Sequence, residues 1–520
     1  MMRSGAFVLL SFSLLTLLSG CAGNPLRSYD AELKQTVTLV KTGELAKALE
    51  QLEKNNTSMF TSADKSTQGV DASGKPKDKT VLDSLASGKD ILYYFEKGEL
   101  LNLQRSYGPG RDAWLQADEV VRTWEDDFRL NPGKIFSDIG SFIVSDRVRR
   151  YDGQDYEKVF LSTRLTLNHI LLGNFDHARI EMKKTYEREK LIESFREKEY
   201  DSLREQSEKQ KVSMNTKSLA EKGYPMDELD TPDVSELKNG FQNAFAHYLA
   251  GYFFEVTGEY SLAEPGYRNA LALQPHSQHI KQRLAQVGRK KAGPNESDVL
   301  FVVESGFAPA WKSVTIPLPI PTGKSMVITP LSFPVIKSEG KAVVPTSLRA
   351  DGRDLPVETL VNVDSMARRL LKDQLPGILL RTTVRAVAKS VAQDQAQKKG
   401  GVVGGVIASV ISVATEQADE RAWRTLPGRI AVARAVLPRG KVALEFQTGA
   451  GIHRTEVTVG NRFTIIPIRL TGGAVYVGQP EVALYDNLPA AQPSSNVGEA
   501  ESKAKPKRPR STGKRASVVK

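Results

Sequence analysis

The sequence predicts an α+β protein: an N-terminal helical-repeat array over 21–290, followed by a smaller mixed domain of antiparallel strands with a long helix over 291–488. Three observations predict it. One pattern, Gly-x-apolar-x-x-Ala-x-x-x-apolar, recurs as Gly43, Leu45, Ala48, Leu52; as Gly173, Phe175, Ala178, Met182; and as Gly258, Tyr260, Ala263, Tyr267. The hydropathy period then changes after Pro294, where Val299-Leu300-Phe301-Val302-Val303 reads as a buried strand. Finally, 40% hydrophobic and 26% charged residues suit a chain that buries a sizeable core.

The repeat pattern has a physical reading. The glycine ends one helix, the alanine lets a second helix approach, and apolar residues three and four apart make one buried stripe. A fourth unit falls in register through Tyr94, Gly98, Leu101, Tyr107, Gly110, Trp114 and Ala117, with Arg105 at its turn. Inserts at 55–90, 121–157 and 192–240 separate the units. The charged run from Glu187 to Lys211 reads as a solvated helical extension, and Lys211–Asp230 as a loop.

In the last unit His247, Gly251 and Phe254 precede the turn, and Ala270, Leu271 and Pro275 follow it. This resembles the tetratricopeptide (TPR) repeat, a helix-turn-helix of about 34 residues, although His247 stands where a large residue is usual. An irregular helical bundle is the alternative. By resemblance to TPR arrays, the first-helix face carrying Phe245, Tyr248, Tyr252 and Glu255 lines a partner-binding groove; contact with an insert or the next domain is the competing use. The stretch from Asp146 through Ala178 resembles a family of uncharacterised proteobacterial lipoproteins with TPR-like repeats, which implies no known activity. Within it, Tyr151 to Glu157 reads as a capped helix start rather than a catalytic carboxylate cluster.

In the mixed half, prolines at 317, 319, 321, 330 and 334 confine Val314–Ile320 and Met326–Ile336 to sheet edges or extended loops. A long helix spans Val363 to Gln397, with Pro376-Gly377 expected to kink or split it. Arg368, Arg369, Lys372, Arg381, Arg385 and Lys389 make it basic. The uncharged segment 400–414 follows, with small residues Gly401, Gly405 and Ser409 four apart. At about 1.5 Å per residue it is short of a bilayer core, so a buried hairpin or core helix is expected ahead of membrane insertion or self-association. The strands Ile430–Val436, Val442–Phe446, Thr455–Val459, Phe463–Ile465 and Val475–Val477 read as an antiparallel meander covered by the basic helix.

The ends of the chain carry the address. Met1 to Gly20 has a positive start at Arg3 and an apolar run from Ala6 to Leu18, the length of a signal peptide core. Leu18-Ser19-Gly20-Cys21 then resembles the bacterial lipobox, which implies acylation of Cys21, the only cysteine. With Ala22 rather than Asp after it, the resemblance implies the inner leaflet of the outer membrane, lipid-anchored and facing the periplasm. The net charge of +11 belongs mostly to the tail, since eight basic residues lie between Glu501 and Lys520. The region 489–520 reads as disordered, and in the periplasm its basic run suits anionic polymer or lipid rather than nucleic acid, with a merely solvated tail as the alternative.

One cysteine and six histidines exclude a Cys-rich metal site. His276-Ser277-Gln278-His279 is a weak ligand pair, and His453 stands alone on a strand. No catalytic arrangement, metal site or cofactor motif is visible. The expected function is a non-enzymatic, lipid-anchored scaffold that binds another envelope protein through the TPR-like surface, in an outer-membrane assembly or secretion complex. The alternative is a structural lipoprotein that holds cell wall or lipopolysaccharide by its basic helix and tail.

Overall fold

Helix hairpins stand where the repeat pattern lies. They pair α1 (Tyr29–Lys41) with α2 (Leu45–Met59), α3 (Ile91–Leu103) with α4 (Tyr107–Leu130), α5 (Asp155–Leu171) with α6 (Phe175–Gln210), and α7 (Ala244–Thr257) with α8 (Tyr260–Leu273). Gly43, Gly173 and Gly258 take left-handed backbone at the turns, φ 89°, 73° and 90°, which spares the strain a side chain would bring. At the fourth turn Arg105 adopts φ 60°, and its guanidinium donates to the Val477 carbonyl at 2.6 and 3.0 Å. The patterned alanines Ala48, Ala178 and Ala263 are fully buried. A Cβ on Gly98 would overlap the Trp114 indole, and one on Gly251 would lie 2.9 Å from the Tyr267 ring. The same glycine-to-aromatic contact therefore sets the helix spacing in two hairpins.

The computed structural model describes residues 29–59, 90–133, 151–210, 216–289, 292–322, 325–340, 343–387, 417–460 and 462–480. The signal 1–20, Cys21, Asp146 at the head of its family-like stretch, Lys389, segment 400–414 and the tail 489–520 lie outside them.

The second half is mixed helix and sheet, as expected for an α+β chain. A five-stranded sheet has the order β11 (Val475–Val477), β10 (Phe463–Leu470), β1 (Glu296–Ser305), β7 (Arg429–Pro438), β6 (Glu358–Asn362). A four-stranded sheet has the order β5 (Arg353–Pro356), β4 (Ser347–Ala350), β8 (Gly440–Thr448), β9 (Gly451–Val459). The expectation of a purely antiparallel meander needs correction: β1 pairs parallel with β10 and antiparallel with β7. A parallel neighbour so far along the chain requires the whole intervening region as its crossover.

The five-stranded sheet is covered on both faces, which is why β1 reads as an unbroken apolar run. Leu300, Val302, Ile430, Val432, Phe463 and Ile465 join the core of the helical layer. Val299, Phe301, Val303, Ala431, Ala433, Ile466 and Ile468 pack against Leu348, Val442, Leu444 and Phe446 of the second sheet. Helices and strands thus share one core. The proline-rich strands β2 (Ala310–Thr322) and β3 (Ser325–Lys337) form a two-stranded ribbon with Pro317 opposite Pro330, both strands being edges.

Several local expectations change. The long helix, α9, is helical over 363–387 and runs through Pro376-Gly377 without a break. Leu370, Leu371, Leu375, Ile378 and Leu379 are buried on both sides of the proline. Each contributes roughly 1.5–3 kcal/mol on burial, which outweighs the roughly 3 kcal/mol penalty of one interior proline. Lys211–Asp230 contains a short helix at Thr216–Glu221 and a 3-10 turn at Met226–Leu229. The charged run of α6 is not wholly solvated, because Arg188 is fully buried and pairs with Asp118 and Glu125 of α4 at 2.9 and 2.5 Å.

Gly98→Ala tests the helix spacing. Helix propensity alone would stabilise this change by about 1 kcal/mol, but forcing Trp114 aside should reverse the sign and cost about 1–3 kcal/mol. Gly108→Ala, whose new Cβ meets nothing within 4 Å, is the control and should be neutral or stabilising in urea melts.

Candidate functional site

Phe245, Tyr248 and Tyr252 are fully buried, and Glu255 is 8% exposed. The expected groove face is therefore not a free surface, a correction with a plain cause: α7 is apolar nearly all round, and such a helix must be covered on every side. The chain's own strands cover it. The Tyr252 hydroxyl donates to the Asp298 carbonyl of β1 at 2.7 Å, and Glu255 accepts from Arg434 of β7 and from the Tyr267 hydroxyl, both at 2.7 Å. Tyr248 shares a 2.7 Å hydrogen bond with His279, a ring that burial holds near pKa 4. His279 is thus spent on Tyr248 rather than presented as a metal ligand.

The basic helix is similarly committed. Arg368 pairs with Asp364 at 2.9 Å, Lys372 with Asp230 at 2.8 Å and Arg381 with Glu199 at 3.0 Å. Arg369 donates to the carbonyls of Leu237 and Lys238. These cations fasten α9 to its own chain, which weakens the polymer-binding alternative that relied on them.

Two buried glutamates organise the centre: Glu96, which the sequence did not single out, and Glu157, read there only as part of a helix cap. Glu96 of α3 accepts from the Arg424 and Thr425 amides at 2.6 and 3.0 Å, and from the Thr425 hydroxyl. Glu157 of α5 accepts from the Trp423 amide at 2.6 Å, the Tyr151 hydroxyl at 2.6 Å and the Gln154 amide at 2.9 Å. The capped helix start expected at 151–157 is present, but its carboxylate also grips a remote strap. Ala422 to Leu426 are buried, with Trp423 stacked on Phe95 at 4.4 Å. From Leu426 and Gly428 the strap accepts the amides of Ala308 and Val363 and so reaches the strand ends.

There, a cleft of about 870 Å³ opens. Its walls are the ends of β1 and β10, the start of β7, the β8–β9 turn, Lys41 at the end of α1, and the Ser338–Gly340 bend. Glycines are dense in it: Gly306, Gly340, Gly428, Gly449, Gly451, Gly472 and Gly473. Side chains at Gly340, Gly449, Gly451 and Gly472 would meet nothing within 4 Å, so the cleft is wide and walled by bare backbone. Most of its charges are spoken for. Glu339 pairs with Lys41 at 3.2 Å and with Arg424. Asp364 accepts from Ser338 at 2.5 Å, and Asp233 from Ser365. Ser305 donates to the Val343 carbonyl at 2.6 Å. Neither cleft serine is bonded to His453, which also lines the cleft and packs on Phe446 at 5.2 Å. Such walls can hold an extended ligand by backbone and polar contacts. Among the described residues no cluster of three or more His, Cys, Asp or Glu could hold a metal ion, and no helix is long and apolar enough to cross a membrane. In comparisons with known proteins, no family model, curated protein or solved structure matches the chain.

The strap's glutamates give a pH signature. Burial pushes Glu96 and Glu157 up to about 7, against the hydrogen bonds they accept. Between the ordinary value of 4.5 and about 7 the folded chain keeps protons that the unfolded chain has lost, so these groups lower stability as pH rises through that window. His279 acts oppositely, its contribution being lost as pH falls below 6.5. Comparison with Glu96→Gln isolates one carboxylate: the variant should gain on wild type by about 1 kcal/mol per pH unit between pH 5 and 7. Urea midpoints at pH 5, 6 and 7 check this, and a pH-independent difference would show that Glu96 does not titrate there.

Proposed function

We propose that the protein is a lipid-anchored periplasmic adaptor that takes a segment of another envelope protein into the strand-end cleft, within an outer-membrane assembly or secretion complex. In this reading Cys21 carries the acyl chains at the outer membrane's inner leaflet, and the role is binding rather than catalysis. We read the helix hairpins as TPR-like units of the kind carried by the lipoprotein family that the sequence resembles, with their customary binding face filled here by the chain's own sheet. Partner capture then moves to the large strand-end opening that the described residues line.

The observation carrying this reading is the cleft itself, about 870 Å³ with walls of bare, glycine-rich turns. Exposed backbone favours an extended polypeptide, which offers its own amides and carbonyls in return. The hydroxyls of Ser305 and Ser338 are directed at a carbonyl and a carboxylate rather than at a histidine, which supports binding over nucleophilic chemistry.

Two measurements test it. Cys21→Ser should abolish palmitate incorporation and release the protein from the membrane fraction. A photo-crosslinking residue at Ile452, exposed on the cleft rim, should yield a defined polypeptide adduct in cells, whereas one at exposed Leu130 should not. Gly449→Trp, which has open space for its side chain, should remove that adduct without changing the melting temperature. An adduct that persists in Gly449→Trp would refute cleft binding.

A further inference from the structure

Ser305, Arg429 and Asn362 lie in one row across three neighbouring strands. Arg429 is opposite Ser305 on β1 and opposite Asn362 on β6, both in antiparallel pairing. Residues directly opposite in such ladders point to the same face, with Cβ atoms about 5 Å apart. All three line the strand-end cleft.

The charges of that cleft single this row out. Glu339, Asp364 and Lys41 have ion partners, and Asp233 has the Ser365 hydroxyl. Arg429 is different: the residue is half-buried, its guanidinium makes no ion pair or hydrogen bond to any described residue, and neither does the Asn362 carboxamide. A guanidinium on a cleft wall with no counter-charge among the described residues is open to an anionic ligand. Its planar fork presents parallel N–H donors matched to the two oxygens of a carboxylate. The Asn362 amide can add another donor, and Ser305 fixes the far side of the row with its hydroxyl held by the Val343 carbonyl.

We propose that Arg429, with Asn362, is a carboxylate-recognition site, and that the group it takes is an acidic side chain or chain terminus of the polypeptide entering the cleft. This rests on the adaptor reading above and names the chemistry of its ligand. The flanking acids suit such a site because each is already neutralised or hydrogen-bonded, and together they disfavour a ligand that brings surplus negative charge.

Phenylglyoxal labelling of the full-length lipidated protein in detergent, followed by peptide mapping, tests the site. Arg429 should react readily, while paired and buried Arg434 should not. Succinate should protect Arg429 but not exposed Arg129. An acetylated, amidated octapeptide with one central glutamate should protect it at least tenfold more effectively than the glutamine version, which distinguishes a polypeptide carboxylate from a free organic acid. Asn362→Ala should weaken protection about tenfold while leaving the reactivity of Arg429 itself unchanged. Equal protection by the Glu and Gln peptides, or stronger protection by inorganic phosphate, would overturn the carboxylate assignment. If, meanwhile, the Ile452 adduct still forms and is still lost in Gly449→Trp, the adaptor reading survives that failure. If the adduct is missing but succinate protects, the site stands as one for small acids and the polypeptide source falls.

Discussion

Arg164 sits where the helical layer meets the five-stranded sheet, and its ion pairs join three distant parts of the chain. From α5 it donates to Glu99 of α3, at 3.0 Å through Nε, and to Glu304 of β1. All three groups are buried, so none can fall back on water. Arg434 repeats the arrangement between β7, Glu255 of α7 and Asp298 of β1, and Arg188 repeats it within the helices. Buried pairs of this kind add little net stability over an apolar core, but breaking one by removing a partner costs about 3–5 kcal/mol. Their effect is to fix which helix face meets which strand. Helices and sheet are therefore tied to each other by buried charge.

That constraint decides where a partner can be received. The α7 face is occupied by β1 and β7, with Tyr252 closing the seam and Phe253 and Phe175 packed around Phe463. The strap from Ala422 to Leu426 fills the space between α3, α5 and β10, tied on one side by Glu96 and Glu157 and on the other by the 2.8 Å bond from Arg469 to the Thr425 carbonyl. What stays open is the end of the sandwich, where strands stop in glycine-bearing turns and no side chains fill the gap. The cleft is a consequence of turns that need small residues. The one uncommitted guanidinium in it stands out for that reason.

The helix hairpins were legible in the residues because their signals are local. A left-handed turn needs glycine, and a close crossing needs alanine or glycine opposite an aromatic, so Gly258, Ala263 and Tyr267 announce themselves by spacing alone. The buried strand at 299–303 was legible for the same kind of reason, as was the edge position of the proline-rich segments, whose mutual pairing was not. Other features were hidden by ambiguity in the same alphabet. Arg188 and Arg164 look like surface charges until their partners, 63 to 140 residues away, are known. Tyr248 and Tyr252 look like binding anchors because an aromatic stripe is equally suited to a partner or to the chain's own sheet. Pro376 looks like a break, and only the buried leucines on either side explain why the helix continues.

By itself the sequence determined the hairpin turns, the buried run of β1 and the mixed helix-and-sheet class, because these follow from backbone freedom and side-chain period over a few residues. It also supplied the expectation of a lipid address at Cys21, a short motif that needs no folded context. Only the tertiary structure decided that the helical face is filled from within, that β1 has a parallel neighbour in β10, and that Ser305, Arg429 and Asn362 share one wall. Each of these depends on strand register and on the pairing of buried charges across long separations. Such long-range terms leave no periodic trace along the chain.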